Sequence, residues 1–123
     1  MRRSPLALLA AGLVAASAAG CGAATRIGAG GTLQIALSEY RVTPQDVRAA
    51  AGLLTIVVHN YGRLSHDLVI SRGGLTEAST KPIAPGQSAE LQTTLPPGSY
   101  MMASTLLDDQ ALGAYGTLEV STH

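Results

Sequence analysis

Three residues in this chain of 123 have types that suit shared chemistry: His66, Ser104 and Asp109. Imidazole, hydroxyl and carboxylate are the parts of a nucleophilic triad. Ser104 lacks the Gly-x-Ser-x-Gly surroundings of a nucleophile elbow, however, and nothing in the sequence marks an oxyanion hole. His66 and Asp109 alone suit a weak Cu(II) or Zn(II) site, since imidazole and carboxylate both ligate such ions. Asp108, Met102 or a water would have to complete it. A His66–Asp109 pair across two loops also has a purely structural use, and it would raise the pKa of the imidazole. His59 falls on the strand face turned away from the core, and His123 is terminal. Met101 and Met102 offer soft sulfur for Cu(I). Neighbouring strand residues point to opposite faces, so the two cannot share one ion easily, and packing explains at least one of them.

These residues need elements to hold them. Leu33, Ile35 and Leu37 alternate with polar or small residues, the mark of a half-buried strand. Leu54, Ile56 and Val58 form one face of the next strand, with Thr55, Val57 and His59 on the other. Asn60-Tyr61-Gly62 is turn chemistry, and His66 opens the following strand. Pro-Gly turns at Pro85-Gly86 and Pro97-Gly98 bracket a strand from Ala89 to Leu95. Leu95-Pro96-Pro97-Gly98-Ser99-Tyr100 has the spacing of a tyrosine corner, which gives Tyr100 a structural role. Met101–Thr105 continues as strand, and Gly116–Ser121 is the last one. Between Thr43 and Gly52 the sequence predicts a short helical turn, with Thr43 as N-cap and Pro44 first. Together these features predict an all-β domain, a Greek-key antiparallel β-sandwich.

The N-terminal residues are of another kind. Arg2 and Arg3, the apolar run Leu6–Val14 and the small residues to Gly20 follow the order of a secretory signal. The apolar part is shorter than the about 20 residues needed to span a bilayer. Ala18-Ala19-Gly20-Cys21 resembles a bacterial lipobox, with Ala where Leu is usual. Cys21 is the single cysteine and has no partner for an internal disulfide. Lipidation at Cys21 is the expectation; ordinary secretion with cleavage nearby is the alternative. The expected organisation is a signal at 1–20, a lipidated Cys21 and flexible tether over 21–31, and one domain over 32–123. The location expected is the extracytoplasmic face of a membrane. Basic and acidic residues balance, and Trp and Phe are absent. Nucleic-acid binding, which needs clustered cations and stacking aromatics, is therefore set aside.

The ordered set Tyr40-x-Val42-x-Pro44, Asn60-x-Gly62, His66-Asp67-Leu68-Val69-Ile70, Ala84-Pro85-Gly86, Pro97-Gly98-Ser99-Tyr100, Gly113 and Gly116-Thr117-Leu118 resembles the cupredoxins, the small blue-copper sandwiches. The resemblance covers nearly all of the chain from Thr32 onward. It implies a copper site in which His66 matches the first ligand. The Cys, His and Met positions of the ligand loop fall on Ser104, Asp109 (or Asp108) and Ala114. A type 1 centre needs a thiolate, two imidazoles and a weak axial sulfur. Three of those four positions hold other residues, so the site is expected to be degenerate. The framework residues Asn60, Tyr100, Gly113 and Gly116 are retained. The expected protein is a non-enzymatic binding or structural module without a cofactor. Weak copper or zinc binding through His66 and Asp109 is the alternative. Leu106, Leu107 and Leu112 at the loop end would serve a protein partner, unless they fold back into the core.

Overall fold

The structure, a computed structural model, describes residues 24–122. The expected signal segment, Cys21 and His123 lie outside the described residues. Among the described residues ten strands run in chain order: β1 (Thr25–Ile27), β2 (Thr32–Ser38), β3 (Arg41–Thr43), β4 (Asp46–Ala50), β5 (Leu53–Asn60), β6 (Val69–Arg72), β7 (Leu75–Ser79), β8 (Ser88–Thr94), β9 (Gly98–Ala103) and β10 (Tyr115–Ser121). They form a six-stranded sheet, β1-β4-β10-β9-β6-β7, packed on a four-stranded sheet, β3-β2-β5-β8.

The strands form where period-two alternation lets each sheet turn an apolar face inward. Leu33, Ile35 and Leu37 of β2 and Leu54, Ile56 and Val58 of β5 supply one wall. Val47, Ile70, Tyr100, Met102, Leu118 and Val120 supply the other. Met101 stands exposed beside buried Met102, so the two sulfurs lie on opposite faces of β9.

Three expectations need correction. The sheets are mixed rather than antiparallel: β1 and β10 both run parallel to β4, and β2 runs parallel to β5. The expected helical turn after Thr43 is strand β4, in which Val47 and Ala49 are buried while Asp46 and Arg48 are exposed. So short a helix would have had little stability of its own, whereas pairing on both sides with β1 and β10 satisfies the backbone. Finally, Thr25–Ile27, read as tether, adds a strand to the sheet edge beside β4.

One end of the sandwich gathers the long loops. β9 runs toward this end and β10 away from it, joined by the 104–114 loop. β2 and β5 also finish there, with Leu37 level with Asn60.

Candidate functional site

The 60–66 turn is built first. Asn60 is buried, its Nδ2 donates to the carbonyls of Leu64 and Ile83 (2.8 Å each), and its Oδ1 accepts the Gly62 N–H at 2.8 Å. These bonds fix the path from β5 to His66. His66 then exchanges backbone hydrogen bonds with Ile83. The loop after β9 is closed by the Ser104 N–H donating to the Ala114 carbonyl and the Ala114 N–H to the Asp109 carbonyl, both at 3.0 Å.

Those two loops bring His66, Ser104 and Asp109 together. The His66 Nδ1–H meets Asp109 Oδ2 at 2.7 Å, and the Ser104 hydroxyl donates to the same oxygen at 2.7 Å. Ser104 Oγ also accepts the Asp67 N–H at 3.2 Å. His66 and Ser104 have no exposed surface, and Asp109 is 2% exposed. Asp67 ties the layers together, taking the Thr105 N–H and hydroxyl on its two oxygens. Asp108 is exposed, so Asp109 is the carboxylate that enters the cluster. Ala114 is fully buried and offers only its backbone.

A residue that the sequence reading did not single out completes the cluster. Glu39, just past β2, accepts the His66 Nε2–H at 2.6 Å and the N–H groups of Arg63 and Leu64. Gly62 makes room for it: a Cβ there would stand 2.2 Å from Glu39 Oε2 and 2.8 Å from His66 Nε2. His66 is thus held at both ring nitrogens by carboxylates. Burial opposes its charge, but the hydrogen bonds and charges of Asp109 and Glu39 outweigh it and raise its pKa above 6.5. The Arg63 backbone N–H, then the His66 ring, hold the Glu39 carboxyl at about 2, against opposition from desolvation.

The geometry does not form a triad. A general base must accept the hydroxyl proton, but Asp109 lies between Ser104 and His66, and His66 donates rather than accepts. Among the described residues no group of three or more His, Cys, Asp or Glu side chains is arranged to hold one ion. Glu39 and Asp109 sit on different ring nitrogens of His66, which point away from each other. His59 lies outside the cluster, bonded to Ser88 and Gln34.

The other residues singled out from sequence are framework. The Tyr100 hydroxyl donates to the Pro96 carbonyl, as in a tyrosine corner. Gly113 has φ of 121°, and a Cβ there would crowd the Tyr40 carbonyl. A Cβ on Gly116 would stand 2.3 Å from the Gln45 carbonyl oxygen, so this glycine lets the end of the loop lie against β4. Leu107 and Leu112 are exposed rather than folded into the core, and Leu106 is half-buried.

Neither a family model nor a curated protein sequence matches the chain. Solved structures do. Reduced auracyanin from Roseiflexus castenholzii aligns with a TM-score of 0.70 at 24% identity, over 76% of this chain and 99% of its own. An azurin, Az-iso2, from Methylomonas sp. strain J aligns with a TM-score of 0.65 at 12% identity, over 76% and 99%. A multicopper oxidase aligns with a TM-score of 0.60 at 18% identity over 73% of this chain, which spans 41% of that longer protein. The chain has the cupredoxin-like fold.

Proposed function

We propose that this cupredoxin-like domain is a membrane-anchored, extracytoplasmic binding or structural module. In it a hydrogen-bonded imidazolium cluster stands where the family holds a type 1 copper. The observation that carries this reading is Asp109 Oδ2, which takes hydrogen bonds from His66 and Ser104 at once. In the family's order of ligands His66 and Ser104 take the first His and the Cys positions, and this oxygen joins the two. The donor set does not suit copper of that kind. Ser104 supplies a neutral hydroxyl instead of a thiolate, Asp109 a hard carboxylate instead of an imidazole, and Ala114 no side-chain donor. The buried polar atoms are satisfied among themselves: none is without a hydrogen-bond partner among the described residues. With the hydroxyl spent on Asp109 and no exposed nucleophile in the cluster, a binding role fits better than an enzymatic one.

The anchoring part of the proposal rests on Cys21 following Ala18-Ala19-Gly20, and on the signal-like residues before it. Alanine at Cys21 is expected to release the protein from membranes; an unchanged membrane fraction would rule lipidation out. The metal part is tested by titrating the purified protein with Cu(II) and Cu(I), followed by absorbance and calorimetry. No intense thiolate-to-copper band and no sub-micromolar site are expected. Sub-micromolar binding that His66→Ala abolishes would replace the proposal with a copper- or zinc-handling protein using His66 and Asp109.

A further inference from the structure

The large apolar side chains left exposed are concentrated at one end of the sandwich. Nine are exposed among the described residues, and six of them, Tyr40, Tyr61, Leu64, Leu107, Leu112 and Tyr115, stand at the end that carries the His66 cluster. Leu53, at the start of β5, and Leu75, in the β6–β7 hairpin, mark the opposite end. Leu107 is 88% exposed and has φ of 51°, a conformation unfavourable to a residue with a Cβ. The loop therefore presents this leucine outward. Arg41, Arg63 and Lys81 are exposed around the same end; the acidic groups there are Asp108 from the loop, Asp46 at the start of β4, and the partly exposed Glu39, which is paired with His66.

The chain enters β1 close to this end. Thr25 is level with Val47, and Val47 with Leu118, so β1 runs parallel to β10 and away from the loop. Ala24 lies beside Asp46 and Thr117, two residues beyond Tyr115. Cys21 precedes Ala24 by three residues, which span at most about 11 Å. A lipid on Cys21 thus leaves the domain almost no stand-off from the bilayer.

We infer that this end is a membrane-docking surface. Leu107, Leu112 and Tyr115, with Tyr40, Tyr61 and Leu64 across the loop cluster, enter the interfacial layer of the bilayer that holds the Cys21 lipid. Arg41, Arg63 and Lys81 meet anionic headgroups. Apolar side chains supply buried area, tyrosines suit the headgroup level, and basic residues add electrostatic attraction. The surface is the second of two membrane contacts, the first being the lipid, and the inference rests on the anchoring proposed above.

The chain contains no Trp, so single tryptophans report directly. The full chain carrying Leu107→Trp or Leu75→Trp is purified from membranes and placed in phosphatidylethanolamine–phosphatidylglycerol vesicles with brominated acyl chains. Mass spectrometry of the same samples reads the acyl group on Cys21. The expected result is blue-shifted, bromine-quenched emission for Leu107→Trp and neither effect for Leu75→Trp. Acylated Cys21 with an unquenched, solvent-exposed Leu107→Trp overturns docking and leaves anchoring intact. Blue-shifted but unquenched emission assigns the surface to a protein or to a second copy and also overturns docking. Equal quenching of both variants overturns the end-on orientation. An unacylated Cys21 overturns the anchoring and the inference together.

Discussion

His66 and Asp109 are joined Nδ1 to Oδ2 at 2.7 Å, both withdrawn from solvent, across 43 positions of sequence. The pair connects the turn after β5 to the loop after β9, so it fastens the two sheets at the end where each has its longest excursion. Glu39 holds the other ring nitrogen and fastens the end of β2 to the same point.

Removing His66 leaves the Asp109 carboxylate buried without its counter-charge. Breaking a buried pair from one side costs roughly 3–5 kcal/mol. His66→Ala should therefore lower the stability read from urea unfolding by an amount of that order. A loss within the noise of a surface substitution would mean that the pair contributes nothing to the fold.

Stability should depend on pH in two directions. The pKa of His66 is raised above 6.5, so its contribution is complete below pH 6.5 and is lost as pH rises through the raised value. Glu39 is lowered from 4.5 to about 2, so its contribution is complete above pH 4.5 and is lost as pH falls toward 2. The thermal midpoint should thus be highest between about pH 5 and 6.5. His66→Gln should flatten the alkaline arm, and Glu39→Gln the acid arm. A midpoint that rises through pH 8 in the unmodified protein would contradict the sign.

Gly62→Ala is expected to separate the two halves of the cluster. The new Cβ would crowd both Glu39 Oε2 and the Nε2 edge of His66, at 2.2 and 2.8 Å, and so break the contact between them; the Asp109 contact lies on the opposite ring nitrogen. The His66 pKa, followed by NMR, should fall toward 6.5 without the buried Asp109 contact being broken. An unchanged titration would show that Glu39 does not act on the ring.

The framework bonds have their own magnitudes. Tyr100→Phe deletes one hydrogen bond to the Pro96 carbonyl and should cost about 0.5–1.5 kcal/mol. Asn60→Ala removes the three side-chain bonds of the turn and leaves the Gly62 N–H without its acceptor, while the Ile83 carbonyl keeps the His66 N–H; a group left unpaired costs about 1–3 kcal/mol. Chemical denaturation should rank Asn60→Ala as the more damaging of the two; the reverse order would count against the role given to the turn.

Much of this was legible in the chain. Alternation in β2, β5 and β10 marks which side chains face inward, and the Pro-Gly turns mark where strands end. The cupredoxin resemblance implies one shared site for His66, Ser104 and Asp109, and the hydrogen bonds join them there. Parallel pairing was not legible, because period two is the same whichever way a neighbour runs. The strand at Asp46–Ala50 is hidden for a related reason: Thr43-Pro44 and the residues up to Gly52 suit a short helical turn, and only the partners β1 and β10 decide for strand. Glu39 left no local signal. It reaches His66 because Leu37 pairs with Asn60, and a register between distant strands has no mark on either one.

The most direct test of the central claim is the nitrogen-15 spectrum of the His66 ring at pH 6.5, before and after one equivalent of Zn(II) or Cu(I). If the cluster is a closed hydrogen-bonded one, both ring nitrogens are protonated in most molecules and their resonances stay in place when metal is added. A ring with one bare nitrogen that shifts on metal addition would contradict it and mark His66 as a ligand.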